Sequence, residues 1–144
     1  MPVITADGKF IRDLLDQPNV PKLVPNDICF DSKGDLYVTN FKDVPAYNRD
    51  GGLYKFTESS DYTECIELCT GMMTPNGVGL SPDETILWSS ESIPNDIVRC
   101  QLTPERLITT FFEGIKRVYH CNGSDVCDSL KVDDQGNVYV EEAD

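Results

Sequence analysis

The sequence has few basic residues, no long apolar run and no N-terminal leader pattern. Lys and Arg total 12 against 25 Asp and Glu, and the formal net charge is −13. Such a charge repels phosphate backbones and anionic lipid surfaces, so neither nucleic acid nor a membrane is expected as a partner. No stretch approaches the ~20 apolar residues that span a bilayer, and the first residues lack the apolar segment of a secretory signal. We therefore expect a cytoplasmic protein.

Zinc-type cysteine spacing and a serine-hydrolase motif are also missing. The six cysteines form no Cys-x-x-Cys pair and no zinc-like group with His120, the single histidine. No Gly-x-Ser-x-Gly elbow occurs, which argues against a serine nucleophile. The thiols are expected to be reduced and mostly packed.

What the sequence does contain is a succession of short β-type runs. β-Branched or alternating residues recur between clusters of Gly, Pro, Asn and Asp, and little of the chain has a helical period. The 144 residues suffice for one ordinary domain, which we predict to be all-β. The predicted strands are Phe10–Leu15, Ile28–Asp31, Leu36–Asn40, Gly52–Phe56, Thr63–Cys69, Gly77–Leu80, Ile86–Ser90, Ile97–Gln101, Ile108–Phe112, Ser129–Val132 and Asn137–Glu141.

Three segments repeat one hairpin pattern. They are "NDICFDSKGDLYVTN" from Asn26, "NGVGLSPDETILWSS" from Asn76 and "CDSLKVDDQGNVYVE" from Cys127, and their starts are 50 and 51 residues apart. Each has a polar start, a short apolar strand, a turn and a second apolar strand. Gly34 and Gly136 occupy the turn position that needs a left-handed residue, where the second copy has glutamate.

Two more strands follow each of the first two copies, which gives four strands every ~50 residues, the unit of a β-propeller blade. We assign residues 1–23 to the last strand of a preceding blade and a linker, 24–72 and 73–125 to two blades, and 126–144 to the first hairpin of a further blade. A propeller typically closes with 4 to 8 blades. About three blades predict a fragment, a truncated product or a half-propeller, whose open sheet edges could support self-association.

The repeat also predicts where chemistry would gather. The first strand of each propeller blade lines the central channel, so Asn26-Asp27, Asn76-Gly77 and Cys127-Asp128 are expected to converge at one mouth of it. Carboxylate and amide oxygens in such a pit suit a hard cation such as Ca²⁺. The tripeptide Pro-Asn-Asp alone carries no such meaning, because it recurs at residues 94–96 ahead of a strand away from the channel.

These segments, with "GGLYKF" between the first two, resemble consecutive blade motifs of the senescence marker protein, gluconolactonase and luciferin-regenerating enzyme family of six-bladed propellers, and within it the bacterial drug-responsive lactonases. "PNG" at 75–77 and "DS" at 128–129 are the most specific parts. The resemblance implies a divalent metal in the channel, Ca²⁺ before Zn²⁺ or Mg²⁺. It also implies Asn76, Asp128 and Asp27 as ligands, with Ser129 close to the ion.

Two further residues are candidates for substrate contact. Asn26 matches a position that approaches the metal or substrate in some members of the family. His120 precedes Asp128 in a predicted loop at the channel mouth. The Glu ligand of the family belongs to a Gly-Glu-Gly-Pro-like motif that this sequence does not contain, so the encoded site is incomplete.

The implied activity is metal-dependent hydrolysis of a small-molecule lactone, with Asp128 as ligand and proton-transfer residue. One alternative is a non-catalytic or degenerate propeller segment that binds a ligand or partner. Another is a strictosidine-synthase-like propeller, which shares the blades but does not depend on the same metal ligands.

Overall fold

The computed structural model describes residues 1–41, 49–109, 114–123 and 125–143. No helix in these ranges has the length and apolarity needed to cross a bilayer. The described secondary structure comprises one 3-10 turn, Glu58–Ser60, and the strands β1 (Pro2–Ile4), β2 (Phe10–Asp13), β3 (Pro25–Phe30), β4 (Leu36–Asn40), β5 (Gly51–Phe56), β6 (Cys65–Met72), β7 (Pro75–Leu80), β8 (Ile86–Glu91), β9 (Asp96–Gln101), β10 (Ile115–His120), β11 (Val126–Val132) and β12 (Val138–Ala143). The prediction of an all-β chain is confirmed.

The strands form antiparallel sheets that follow one another along the chain. Strands β3–β6 and β7–β10 make two four-stranded meanders, with the hairpin β1–β2 before them and the hairpin β11–β12 after them. The first strand of each meander contacts the first strand of the next, so that β3, β7 and β11 lie in succession. Successive meanders that meet through their first strands have the arrangement of propeller blades.

The hydrophobic core lies in layers between successive sheets. Tyr37 of the first meander packs in one layer with Val78 and Leu87 of the second. In another layer Leu14 covers Phe56 on the other face of the first meander. Strands β4 and β5 are accordingly buried along their whole length, as expected for strands with a neighbour on both faces.

The predicted hairpin turns adopt the expected backbone. Gly34 and Gly136 have φ of 88° and 85°, and Glu84 takes the same position with φ of 55°. In each turn the N–H of this residue donates to the carbonyl three residues earlier. A left-handed glutamate is strained, and its side chain is held by Ser32 of the neighbouring turn, whose hydroxyl donates to Glu84 Oε2 at 2.8 Å.

The fourth strand of the second meander was predicted in the wrong place. We predicted it at Ile108–Phe112, of which 110–112 lie outside the described residues. Ile108 itself makes only an isolated bridge with Leu102, and the strand that pairs with β9 is Ile115–His120. The predicted loop at His120 is therefore the end of β10. At the N-terminus the prediction missed β1, whose three residues are too few to show a pattern.

The starts of β3, β7 and β11 share a β-bulge. In each of these strands two residues lie opposite one residue of the following strand: Asn26-Asp27 opposite Thr39, Asn76-Gly77 opposite Ser90, and Asp128-Ser129 opposite Glu141. The third copy is thus shifted by one residue from our alignment, because Cys127, and not Val126, corresponds to Pro25 and Pro75. Bulges re-aim side chains and are frequent beside active sites.

A buried hydroxyl links each of the first two bulges to the next. Thr39 Oγ1 accepts from Asp27 N at 2.9 Å and donates to Asn76 O at 2.7 Å. Ser90 Oγ repeats this geometry one blade later, accepting from Gly77 N at 2.7 Å and donating to Asp128 O at 2.5 Å. We call these two hydroxyls the bulge relay.

Arg106 joins the two meanders at the opposite, turn end. It lies in the connection after β9 and forms ion pairs with Asp31 of the β3–β4 turn and Glu84 of the β7–β8 turn. Burial raises the pKa of Asp31, but its hydrogen bonds to Arg106 and to turn amides outweigh that effect, so the pKa lies below its ordinary value of 3.8. The blades are therefore tied at both ends of their first strands.

Replacing Ser90 by alanine should destabilise the fold by about 2–4 kcal/mol, because Gly77 N–H and Asp128 C=O would be left buried without partners. Ser89→Ala is the matched control, since the Ser89 hydroxyl is equally buried but donates only to the adjacent Ser90 carbonyl. Urea unfolding followed by tryptophan fluorescence measures both. Equal losses for the two variants would contradict the bulge relay.

Arg106→Met should destabilise by on the order of 3 kcal/mol, because it leaves the buried Asp31 carboxylate without its cation. The lowered pKa of Asp31 contributes stability above pH ~3.8 that is lost as the pH falls through the folded-state pKa. The difference between wild type and variant should therefore be full at pH 7 and shrink below pH 4 in urea unfolding. Lys33→Met removes an exposed charge from the same turn and should change little; a pH-independent Arg106 effect would refute the assignment.

Candidate functional site

Asn76 is the most buried of the predicted site residues and has one unused oxygen. Its side chain is 6% exposed. The amide Nδ2 donates to Ser92 Oγ at 3.1 Å, which fixes the orientation of the side chain. Among the described residues no donor reaches Asn76 Oδ1. A buried acceptor without a partner costs free energy, so this oxygen is the candidate ligand atom of Asn76.

Asp128 holds the corresponding position of the next bulge. Its backbone carbonyl accepts from Ser90, and the carbonyl of the preceding Cys127 accepts from Ser92 Oγ at 2.7 Å. The Asp128 side chain is half-buried, and no described residue makes a hydrogen bond or ion pair with its carboxylate. Ser92 thus contacts both the Asn76 side chain and the backbone that precedes Asp128. One hydroxyl therefore fixes the position of the Asn76 side chain relative to the start of β11.

Asp27 points to the neighbouring blade. Its Oδ1 accepts from Ile28 N at 2.8 Å, and its Oδ2 accepts from Val78 N at 3.1 Å. Lys131 Nζ lies 3.4 Å from the same Oδ2. Both carboxylate oxygens therefore have protein donors, and Asp27 ties β3 to β7 as well as being the ligand candidate that the resemblance implies.

The remaining bulge residues differ in exposure. Asn26 shares the register of Asn76 and Asp128 but is exposed. Ser129 shares the register of Asp27 and is half-buried. Gly77 completes this second set, and a Cβ there would lie 2.4 Å from Leu130 N, so the close approach of β7 and β11 requires glycine.

His120 does not join this group. It is opposite Asp96 at the end of the outermost strand, and the row across the sheet runs from Pro75 through Glu91 and Asp96 to His120. Three strand spacings of about 4.8 Å therefore separate it from β7. Its Nδ1 lies 3.0 Å from the buried carboxylate of Asp96, which fixes the ring at the rim of the blade.

Sequence reasoning missed the hydroxyl residues that position the site. None of the motifs in the sequence points to Thr39, Ser90 or Ser92. A signal was present, because "LYVTN" from Leu36 and "LWSSE" from Leu87 both carry a hydroxyl at the fourth position of the second strand. A polar group repeated at a buried position is expected to have a hydrogen-bonding role.

The oxygens at the bulges suit a hard divalent cation. They are an amide oxygen, carboxylates and a hydroxyl, the ligand types that Ca²⁺ and Mg²⁺ prefer. No cluster of three or more His, Cys, Asp or Glu side chains with metal-binding geometry occurs in the described part of the chain. The unpartnered Asn76 oxygen and the nearby Asp128 fit a cation. Both carboxylate oxygens of Asp27 already accept hydrogen bonds, so the first blade provides a weaker ligand.

Comparison with known proteins identifies the blades. Lactonase drp35 of Staphylococcus haemolyticus is 32% identical over 133 residues, which cover 92% of this chain and 39% of that protein. A gluconolactonase from Xanthomonas campestris superimposes with a TM-score of 0.74 at 18% identity, over 96% of this chain and 48% of that one. Regucalcin from Agrobacterium tumefaciens, described as a calcium-binding protein, gives 0.68 at 18% identity over 82% and 38%. The predicted propeller fold is confirmed.

The chain spans about 40% of the length of the curated relatives it matches. The family model described as the SMP-30/Gluconolactonase/LRE-like region matches residues 3–141, almost the whole chain. The chain therefore belongs to the SMP-30/gluconolactonase/LRE-like family.

Proposed function

We propose that this chain carries the Asn and Asp part of a metal-dependent lactone-hydrolysing site. The observation that carries the proposal is the buried Asn76 Oδ1, which is oriented by Ser92 and lacks a donor beside Asp128. The named lactonase and gluconolactonase relatives support a hydrolase of a cyclic ester as the reaction class.

Asn76 and Asp128 would hold the cation, with Asp27 and Ser129 as further ligands from the second bulge position. Ca²⁺ is the ion we propose, consistent with the calcium-binding regucalcin relative, and Zn²⁺ and Mg²⁺ are the alternatives. When bound, the metal supplies Lewis-acid polarisation of the lactone carbonyl. The Asp27 carboxylate already accepts a hydrogen bond from Val78 N–H, so Asp27 would be the weakest of these four ligands.

Asp128 carries the proton transfer in this proposal. Its carboxylate takes a proton from the water that attacks the carbonyl carbon and returns it to the ring oxygen that leaves. Asn26, exposed in the same register, would contact the substrate. His120, which lies against Asp96 at the outer strand of the blade, would have no direct role in this proposal. The Ser90 and Ser92 hydroxyls fix the backbone on either side of the Cys127–Asp128 peptide.

The alternative of a non-catalytic binding segment is favoured by one observation. The Gly-Glu-Gly-Pro-like motif is absent from the sequence, and the described residues contain no complete carboxylate cluster. Metal binding and turnover measured on this chain separate the two readings, because a binding segment without the ion shows neither.

Ca²⁺ should raise the melting temperature of the chain, because a ligand that binds only the folded state stabilises it by RT ln(1 + [L]/Kd). In Asn76→Ala this shift should disappear, since the variant lacks the Oδ1 atom. Asn19→Ala, an exposed amide far from the bulges, should keep the full shift. Differential scanning fluorimetry in millimolar CaCl₂ measures it, and an unchanged shift in Asn76→Ala would exclude this residue as a ligand.

Asp128→Asn should lower lactone hydrolysis by about 10²–10⁴-fold, the usual contribution of a general acid–base group, and weaken Ca²⁺ binding at the same time. Asp134→Asn removes an exposed carboxylate from the same hairpin and should leave both unchanged. The measurements are initial rates on a small lactone and calorimetric Ca²⁺ titration. No hydrolysis and no Ca²⁺ binding at millimolar concentration by the wild-type chain would reject an active enzyme and favour the binding segment.

A further inference from the structure

Cys121 and Cys127 form a thiol pair that the proposed hydrolysis does not use. They flank the connection from β10, the outermost strand of one meander, to β11, the first strand of the next hairpin. Both are free and buried, and Cys127 Sγ–H donates to Cys121 Sγ across 2.8 Å. A disulfide bond is about 2.05 Å long, so its formation requires the sulfurs to approach by less than ~1 Å.

Asn95 holds the backbone of both cysteines. Its Nδ2 donates to Cys121 O at 3.1 Å, and its Oδ1 accepts from Cys127 N at 2.7 Å. Cys121 N in turn donates to Asn95 O at 2.9 Å. Asn95 itself has a left-handed backbone, with φ of 58°. One side chain therefore presets the separation of the two thiols, which removes much of the entropic cost of bringing them together.

A groove gives access to the pair from outside. It has a volume of about 400 Å³ and lies between the second meander and β12. Apolar side chains such as Trp88, Ile97 and Val140 line it together with Cys121, whereas Cys127 does not contribute to its wall. Cys121 is thus the sulfur that a small reagent meets first.

We propose that Cys121 and Cys127 are a modification site at which a reversible intrachain disulfide forms by exchange with a low-molecular-weight disulfide such as oxidised glutathione. The Cys121 thiolate attacks one sulfur of the oxidant, and the other sulfur leaves as a thiol after taking up a proton. The Cys127 thiolate then attacks the Cys121 sulfur of the mixed disulfide and expels the second thiol. Two protein thiols are oxidised, and one small disulfide is reduced to two thiols.

The bond would tie the rim of one blade to the residue immediately before Asp128. A short disulfide-closed loop restricts the unfolded chain, so the oxidised form should melt at a higher temperature than the reduced form. The proposal does not depend on lactone hydrolysis and can be tested without it.

Peptide mapping tests the proposal directly. Trypsin releases residues 118–131 as one peptide that contains both cysteines and no other. After treatment of the folded chain with excess oxidised glutathione, this peptide should be lighter by two hydrogen atoms and resist alkylation, and dithiothreitol should reverse both effects. A stable glutathione adduct in the wild-type peptide, or free alkylation of both of its cysteines, would overturn the proposal.

Variants separate the two steps. Cys127→Ser should stop at the glutathione adduct on Cys121. Cys100→Ser, at a buried cysteine outside the Cys121–Cys127 pair, should form the disulfide like the wild type. Asn95→Ala should close more slowly and accumulate the adduct. Far-UV circular dichroism checks that each variant is folded. Closure in Asn95→Ala at the wild-type rate would refute the presetting of the pair, and adduct-free Cys127→Ser would refute the order of attack.

Discussion

The bulge relay is the contact on which the arrangement of the candidate site depends. Thr39 and Ser90 are fully buried, and each accepts from a bulge N–H of its own blade and donates to a bulge carbonyl of the next. Apolar packing between the sheets is non-directional, so it holds the blades together without fixing how far one first strand is shifted along the next. The directional hydrogen bonds at the bulges fix that shift. They thereby also fix the positions of the polar side chains at the bulges.

Equivalent bulge positions have become different residues because each meets a different neighbour. At the second position Gly77 lies against the β11 backbone, where a Cβ does not fit, whereas Asp27 has room and bonds Val78 N instead. At the first position Asn26 is exposed, Asn76 is buried and Asp128 is half-buried. The repeat therefore provides one backbone geometry, and the local packing decides which copy carries a structural tie and which carries a free oxygen.

Much of this architecture could be predicted from the sequence, because it depends on local signals. The hairpins follow from strand patterns and from Gly34 and Gly136, whose left-handed backbone is a property of the turn itself. The place of β10 could not be predicted, since the sequence Ile108–Phe112 has the stronger β-strand pattern and the pairing is decided by β9. The one-residue shift of the third copy was visible in the sequence, because Gly34 lies eight residues after Asn26 whereas Gly136 lies nine after Cys127. Asn76 and Asp128 are candidates by resemblance to the family, whereas the hydrogen bonds from Ser90 and Ser92 that support them arise only in the assembled blades.

The side-chain oxygens of the candidate site that lack described protein donors belong to Asn76 and Asp128. Ser92 links Asn76 to the backbone at Cys127–Asp128. No described residue donates a hydrogen bond to Asn76 Oδ1 or to the Asp128 carboxylate. The Asp27 carboxylate, by contrast, already accepts from a backbone amide and is approached by the ammonium group of Lys131. A cation near Asp27 would have to compete with that positive charge, whereas a cation between Asn76 and Asp128 would satisfy a buried acceptor. These contacts favour Asn76 and Asp128 over Asp27 as cation ligands, and the Ser92 hydroxyl has already oriented the Asn76 amide.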